Sequence, residues 1–402
     1  MIIPWSLVRL GNPPLASVES DLKEVFLLAK TLAVCAAALA IGSLTAVPAF
    51  AVSGGQPVSD PGTAPWMVTI ADKGSGPLVR REICGGVLIA PDRVATAGHC
   101  LDHADPTNLE LHIGGGTLST DPGRIVPIKG FTMDPGYHLV SSPTDPNNFE
   151  TSAAADDAAI IELARPVWGV PVLPVARHSP APDTPVSAFG HGQTKPFDPK
   201  DPTSSFGDAL SKAKLTVIDD ASCNSQLGGL VDGKSVVCAK GGSATTICSG
   251  DSGGPLVEYT DAGPELVGLT SFAGEVVKKQ CGQDSPGGFA DAAVLRSFLT
   301  QPHPVLAPRP TAELVITGTK AAGSTLTCQA PKWLGHAPDT LTYKWEESTV
   351  DPTSGFEFYL PIKGAPNSPT LAVTPELASH QLLCLLDAST AGGTVQLEAA
   401  AV

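Results

Sequence analysis

Apolar positions along residues 52–302 come in short runs, at 66–70, 86–89, 93–97, 159–163, 213–217 and 256–259. Gly, Pro, Asp, Asn and Ser fill the intervals. Runs of this length with such punctuation predict strands, many of them, and an all-β architecture. One segment, 291–300, has the spacing of a short amphipathic helix. Near the N-terminus the pattern differs. Residues 31–44 are almost wholly apolar, follow Lys30, and lead to Ala49-Phe50-Ala51. A run of that length suits the core of an export signal and is short for a membrane span. The expectation is that residues 1–51 are removed on export and that Val52 begins the mature chain. Residues 1–24 exceed what such a signal needs, and Met1 is followed by no methionine before Met67. That places the expected start of translation at a non-AUG codon near Val18 or Val25.

After residue 302 the pattern changes again. Residues 303–311 are Pro-rich and predict a semi-rigid linker. Residues 312–402 carry short alternating runs at 323–328, 341–345, 370–373 and 381–384, with a Cys…Trp…Cys arrangement. This predicts a small Ig-like β-sandwich. It resembles the Ig-like repeats appended to secreted bacterial proteins, and implies an adhesion or substrate-docking role with a ligand of its own.

Composition narrows the picture. The length of 402 residues favours two folded domains. A net charge of −15 leaves no basic patch, which excludes nucleic acid as an expected partner. The 41 Gly and 38 Pro fit turns and short strands, not a helical bundle, and the Ala, Gly and Pro richness reads as a GC-rich bacterial source. Of nine cysteines, Cys35 lies in the segment expected to be removed, and the remaining eight imply an oxidising compartment. No second long apolar span is present, so no membrane anchor is expected.

The candidate chemistry centres on residues 246–256, T-I-C-S-G-D-S-G-G-P-L. Ser252 lies between Gly250-Asp251 and Gly253-Gly254. A serine so flanked can occupy a sharp turn with backbone N–H groups free to stabilise an oxyanion. Serine needs a base, and the base an orienting carboxylate. His99, in Thr96-Ala97-Gly98-His99-Cys100, and Asp157, in Asp157-Ala158-Ala159-Ile160-Ile161-Glu162-Leu163, supply both in the order His, Asp, Ser. Residues 52–302 therefore resemble a secreted trypsin-like serine protease of the chymotrypsin fold.

The resemblance implies two six-stranded β-barrels with the site between them, needing neither metal nor organic cofactor. It implies His99 as general base, Asp157 rather than its neighbour Asp156 as orienting carboxylate, and the Gly250 and Ser252 N–H groups as oxyanion hole. It implies disulfides Cys84–Cys100, Cys223–Cys238 and Cys248–Cys281, and the spacing of the last two cysteines adds Cys328–Cys384. A new α-amino group on Val52 would pair with Asp251. Ser271, Phe272 and Ala273 would bind the substrate backbone. Thr246 and Gly287 would shape the primary pocket. A neutral Thr246 disfavours Arg or Lys, so an uncharged medium or large side chain is expected, with Asp284 the one carboxylate placed to restore a basic preference. His191 reads as a turn residue, and 139–155 as a surface insertion overhanging the cleft. The expected function is a secreted, extracellular endopeptidase acting on proteins or peptides. The rival readings are an inactive protease-like adhesin working through its tail, and an esterase of the same chemistry.

Overall fold

A computed structural model describes residues 52–401, except 143–144, 147, 149–150, 197, 199–201 and 351–356. The expected export signal, its cleavage motif and Cys35 lie outside the described residues. The first half runs β1 (Gln56–Pro57), β2 (Met67–Asp72), β3 (Glu82–Ala90), β4 (Arg93–Thr96), β5 (Leu109–Ile113), β6 (Arg124–Val126), β7 (Ile128–Met133), β8 (His138–Val140), β9 (Ala153–Ala155) and β10 (Ala159–Leu163). Next come β11 (Pro185–Gly190), β12 (Ser211–Ile218), β13 (Val236–Lys240), β14 (Pro255–Thr260), β15 (Gly263–Phe272) and β16 (Gly287–Asp291). The C-terminal module holds β17 (Val315–Thr317), β18 (Thr325–Gln329), β19 (Thr340–Val350), β20 (Glu357–Pro361), β21 (Thr370–Ala372), β22 (Leu382–Thr390) and β23 (Gly393–Ala400). Three short helices interrupt them: α1 (Leu78–Arg81), α2 (Asp220–Gln226) and α3 (Arg296–Leu299).

The chain is all-β in its architecture. Strands β12, β11, β14, β15, β16 and β13 pair in that order, and β13 returns to β12, closing a six-stranded barrel. The other sheet, β6-β5-β2-β3-β4-β10-β7, stays open as a half-barrel, where a second closed barrel was expected. Its two edges are consecutive in sequence, separated by Pro127 alone. Proline has no N–H to give to a ladder, so the segment that runs from one edge to the other is broken at that residue.

The amphipathic pattern at 291–300 yields only α3, a single turn. Asp291 ends β16, and its carboxylate accepts the N–H groups of Ala293 (2.9 Å) and Val294 (3.2 Å), holding a turn where helix was expected. The insertion at 139–155 is likewise not all loop. Strands β8 and β9 bracket it as a paired ladder, and buried Ala153 packs in one cluster with Phe272.

In the C-terminal module, β17-β18-β21 form one antiparallel sheet and β20-β19-β22-β23 another. Cys328 on β18 and Cys384 on β22 join them by a disulfide. Trp345 stands opposite Cys384 in the ladder, and its indole N–H donates to Ser368 O at 3.1 Å. Residues 303–311 are not a free spacer. Ala307 N–H donates to Phe131 O (2.7 Å), and Arg309 to Ile128 O and Lys129 O (2.8 Å each). Met133 N–H donates to Gly392 O at 2.9 Å. The edge of β7 left over after pairing with β10 is thus covered. One apolar core runs from Phe131 and Ile161 of the half-barrel through Leu314 to Trp345 and Leu386 of the module. Among the described residues no helix is long and apolar enough to cross a membrane.

Trp345 is 2% exposed. Trp345→Ala should lower the unfolding free energy by about 3–5 kcal/mol, measured by urea titration. A loss under about 1 kcal/mol would show that the two sheets do not depend on it.

Candidate active site

Strand register brings the candidate residues together. β4 and β10 are antiparallel, with Thr96 opposite Ala159. Three residues beyond Thr96 lies His99, on the short 3-10 turn Gly98–Cys100. Two residues before Ala159 lies Asp157. Both strand ends therefore open at the same point. Cys100 is tied back to Cys84 on β3 by a disulfide, which pins the turn that carries His99.

Asp157 holds His99 at two points. Its Oδ1 accepts the His99 backbone N–H and its Oδ2 faces the ring Nδ1, both at 2.8 Å. Ser271 Oγ donates to the same Oδ2. Sequence reasoning placed Ser271 only on the substrate strand and missed this bond. A serine at the end of β15 gives no sign in sequence of which carboxylate it meets. Burial works against the Asp157 charge, but His99 and these hydrogen bonds outweigh it and hold the carboxyl below its usual range. Burial likewise lowers the His99 imidazole, while the Asp157 charge and hydrogen bond raise it more, so the net direction is upward. An imidazole fixed in this way carries its proton on Nδ1 and offers Nε2 as a base.

Ser252 comes from the other barrel, on the turn before β14. Its carbonyl accepts the Gly85 N–H at 2.7 Å, which sets the serine turn against β3. Gly253 has φ +74°, and a Cβ there would lie 2.1 Å from Thr96 Oγ1 and 2.5 Å from Gly85 O. Only glycine fits. Among the described residues, the N–H groups of Gly250 and Ser252 have no acceptor, while those of Asp251, Gly253 and Gly254 are bonded. Two free donors flank a part-exposed hydroxyl. No hydrogen bond joins Ser252 Oγ to His99 Nε2, and Nε2 lies 3.8 Å from Cys100 Sγ. The arrangement can move a proton from a hydroxyl to an imidazole beside an anion-stabilising pair of amides.

A family model described as Trypsin matches residues 52–299. The chain belongs to the trypsin family. It is similar to Trypsin iota of Drosophila melanogaster, 30% identical over 245 residues, covering 59% of this chain and 83% of that protein. It is similar to Chymotrypsin-like elastase family member 3B of Homo sapiens, 33% identical over 216 residues, covering 52% and 73%. The Trypsin of Saccharopolyspora erythraea is 29% identical over 197 residues, covering 48% and 76%. Among solved structures, mouse neuropsin aligns at a TM-score of 0.48 and 24% identity, over 61% of this chain and 96% of that one. This trypsin-family chain is a serine endopeptidase, and its substrates are proteins or peptides.

Of the two residues expected to shape the primary pocket, Gly287 departs from the sequence picture. Thr246 is buried and its hydroxyl is spent on Ile247 O at 3.0 Å. Gly287 does not leave its wall open, because a Cβ on it would meet Ile247 Cδ1 at 2.7 Å. The Ile247 side chain fills that space. Ala273 is buried in one cluster with Ile247, and Phe272 is buried in another. Asp284 is exposed and pairs with Lys240 at 3.1 Å. Disulfides join Cys248 to Cys281 and Cys223 to Cys238. Cys84 and Cys100, the sulfurs nearest His99, are consumed by their bridge and offer no thiolate to a metal.

Beneath the serine turn Asp251 and His191 join Glu82, which sequence reasoning did not single out, in a group of buried titratable residues. Asp251 is fully buried, accepts the N–H groups of Cys248 (2.9 Å) and Gly192 (3.0 Å), and is pushed up by burial to about 7. Glu82 is raised well above the carboxylate range by burial, with the Asp251 charge adding to it. His191, read from sequence as a turn residue, is completely buried and pushed down by burial to about 4. Glu82 Oε1 and His191 Nδ1 lie 3.9 Å apart, and none of their side-chain polar atoms has a hydrogen bond. Burial favours the uncharged form of both, so the contact is not an ion pair.

The His191 imidazole has a folded pKa of about 4 against an ordinary 6.5. Between these values the unfolded chain binds more protons, so stability present above about pH 6.5 is lost as the pH falls toward 4. At about 1.4 kcal/mol per unit this is roughly 3 kcal/mol. Asp251 acts oppositely, its contribution fading as the pH rises toward 7. His191→Gln should flatten the acid-side loss in urea unfolding between pH 4 and 6.5. An unchanged slope would mean that protons reach the imidazole in the folded state.

Proposed function

We propose that the chain is a secreted endopeptidase in which Ser252 attacks the scissile carbonyl, His99 takes and returns the proton, and Asp157 fixes the His99 tautomer and stabilises the imidazolium. The N–H groups of Gly250 and Ser252 receive the oxyanion, each donor contributing about 3 kcal/mol to the transition state. The observation that carries this reading is the two-point grip of Asp157 on His99 beside a serine turn with two unbonded amides, within a trypsin-family chain.

The mature chain begins at Val52 after export, and its α-ammonium pairs with Asp251. Two features support this. Val52 is fully buried in the core of the closed barrel with Ile247, near the strand bridge Ser53–Thr246. It also has φ +56°, a costly conformation for a β-branched residue, and one that ceases to be imposed once the preceding peptide bond is cut. A buried Asp251 with only backbone donors is a ready partner for a cation. The C-terminal module is read as an Ig-like sandwich, from its two disulfide-linked antiparallel sheets and the Trp345 opposite Cys384.

The primary pocket takes an uncharged residue. Thr246 supplies no counter-charge and Asp284 is held outside by Lys240, so a buried cation would go unpaired. Ile247 limits depth, which favours a medium side chain over a large aromatic one.

Intact mass after fluorophosphonate treatment should show a single adduct on a chain starting at Val52 and none on Ser252→Ala, whose kcat should fall by at least about 10⁴-fold. A folded chain with that start and no adduct would overturn the catalytic reading. In a peptide library, cleavage should follow uncharged medium residues, and Ile247→Gly should raise turnover after Phe and Tyr. Dominant cleavage after Arg or Lys would refute the pocket argument.

A further inference from the structure

The C-terminal module reaches the loop that carries His99. Beyond Cys100 the chain continues through buried Leu101, whose N–H donates to Gly98 O (2.9 Å), to Asp102 and His103. His103 has φ +61°, a left-handed conformation uncommon outside glycine, and contacts from elsewhere in the chain support it. That support comes from β22 and β23. The His103 carbonyl accepts the Gln396 N–H at 3.1 Å, and His103 bridges Val395 in parallel register. Its ring Nδ1 is buried, has no hydrogen bond, and lies 3.6 Å from Asp387 Oδ1, an ion-pair distance.

Asp387 is itself fixed, by Gln396 Nε2 on Oδ1 and Lys344 Nζ on Oδ2, both at 2.7 Å. Burial works against its charge, yet these partners and His103 hold its carboxyl far below the usual range. Asp387 in turn raises the His103 imidazole, against burial, with Asp102 adding to the rise and Lys344 opposing it.

The other flank of the His99 turn meets Tyr137, whose Cδ2 would lie 3.0 Å from a Cβ on Gly98. Tyr137, Asp102 and Asp134 share a cavity of about 340 Å³ with Thr390, Gly393 and Thr394 of the module. Both flanks of the turn therefore border the same hairpin.

We propose that the C-terminal module is a positioning element of the protease: Asp387, clamped by Lys344 and Gln396, holds His103, and through it the turn Gly98–His103 that sets His99 against Ser252. His103 and Asp387 are positioning residues, not catalytic ones. The inference rests on the assignment of His99 as general base. The disulfide Cys84–Cys100 anchors the turn at one end, and the module anchors it at the other. A small displacement of a catalytic group lowers kcat without weakening substrate binding.

The test uses the full-length secreted chain, with kcat and KM for a peptide substrate expressed per site titrated by fluorophosphonate. Asp387→Ala and His103→Ala should each lower kcat about tenfold, with KM within about twofold, and the double variant should fall no further than the weaker single variant. Asp387→Asn, which keeps the shape and removes the charge, should show a smaller loss in the same direction and serves if Asp387→Ala is not recovered folded. Asp339→Asn, on an exposed part of the module, should leave kcat unchanged. Unchanged kcat in the titrated Asp387 variants, or losses that add in the double variant, would overturn the proposal and leave the module a stabilising cap. Failure of the natural chain to label would instead sink the catalytic reading.

Discussion

Everything in the site depends on the hydrogen bond from the Gly85 N–H to the Ser252 carbonyl, because it joins the two halves of the protease at the point where their chemistry must meet. His99 and Asp157 belong to the half-barrel, and Ser252 to the closed barrel. A misfit of an ångström there would separate the proposed nucleophile from its proposed base. The contact is close because glycines line it. A Cβ on Gly85 would lie 3.1 Å from Gly254 Cα, and one on Gly253 would enter Thr96 and the Gly85 carbonyl. The run of glycines around the serine therefore serves two purposes at once. It frees amides on the solvent side and lets backbone meet backbone on the inner side.

The electrostatics divide along the same line. On the half-barrel side a buried carboxylate is fully committed: Asp157 has the His99 backbone, the His99 ring and Ser271 on its two oxygens. Asp251, in the closed barrel, has two backbone donors only, and beside it His191 and Glu82 of the half-barrel strand β3 carry unbonded polar atoms. Unsatisfied buried groups are costly, and both carboxyl oxygens of Glu82 and both ring nitrogens of His191 are among them. Side-chain hydrogen bonds thus go to fixing His99, while the carboxylate next to Ser252 is held by backbone donors alone.

Much of this was legible in the chain. The three motifs around His99, Asp157 and Ser252 are local, so their residues could be proposed from the motifs and the family resemblance they carry, and turn-punctuated apolar runs announced an all-β fold. What escaped was non-local or depended on volume. Ser271 meets Asp157 across 114 positions of sequence, and no periodicity encodes that. The open edge at Pro127 was visible as a proline, but its effect on closure required knowing which strands flank it. Gly287 looked like an opening until the Ile247 side chain was found in the space. His191 has the sequence setting of a turn residue, and its burial reflects the close packing of Gly192 on Asp251, where a Cβ would lie 2.6 Å from the carboxyl carbon. The Pro-rich stretch 303–311 looked like a spacer because its binding partner is the edge of a strand, whose backbone groups carry no signature in the side chains.

The covering of β7 and of His103 by residues 305–309 and 387–396 has a consequence for the order in which the molecule can be assembled. These residues are synthesised after β7 and His103, and they complete a sheet edge and a turn that were made earlier in the chain. Local hairpins such as β22–β23 form early once synthesised, but their docking closes a loop that spans most of the chain, and such long-range closure is slow. Until it occurs, the nascent protein carries a strand edge with unpaired backbone donors and a histidine turn anchored at one end only. Docking of the β22–β23 hairpin is therefore the step that ends this exposed phase, which ties the completion of the half-barrel to a segment far along the chain.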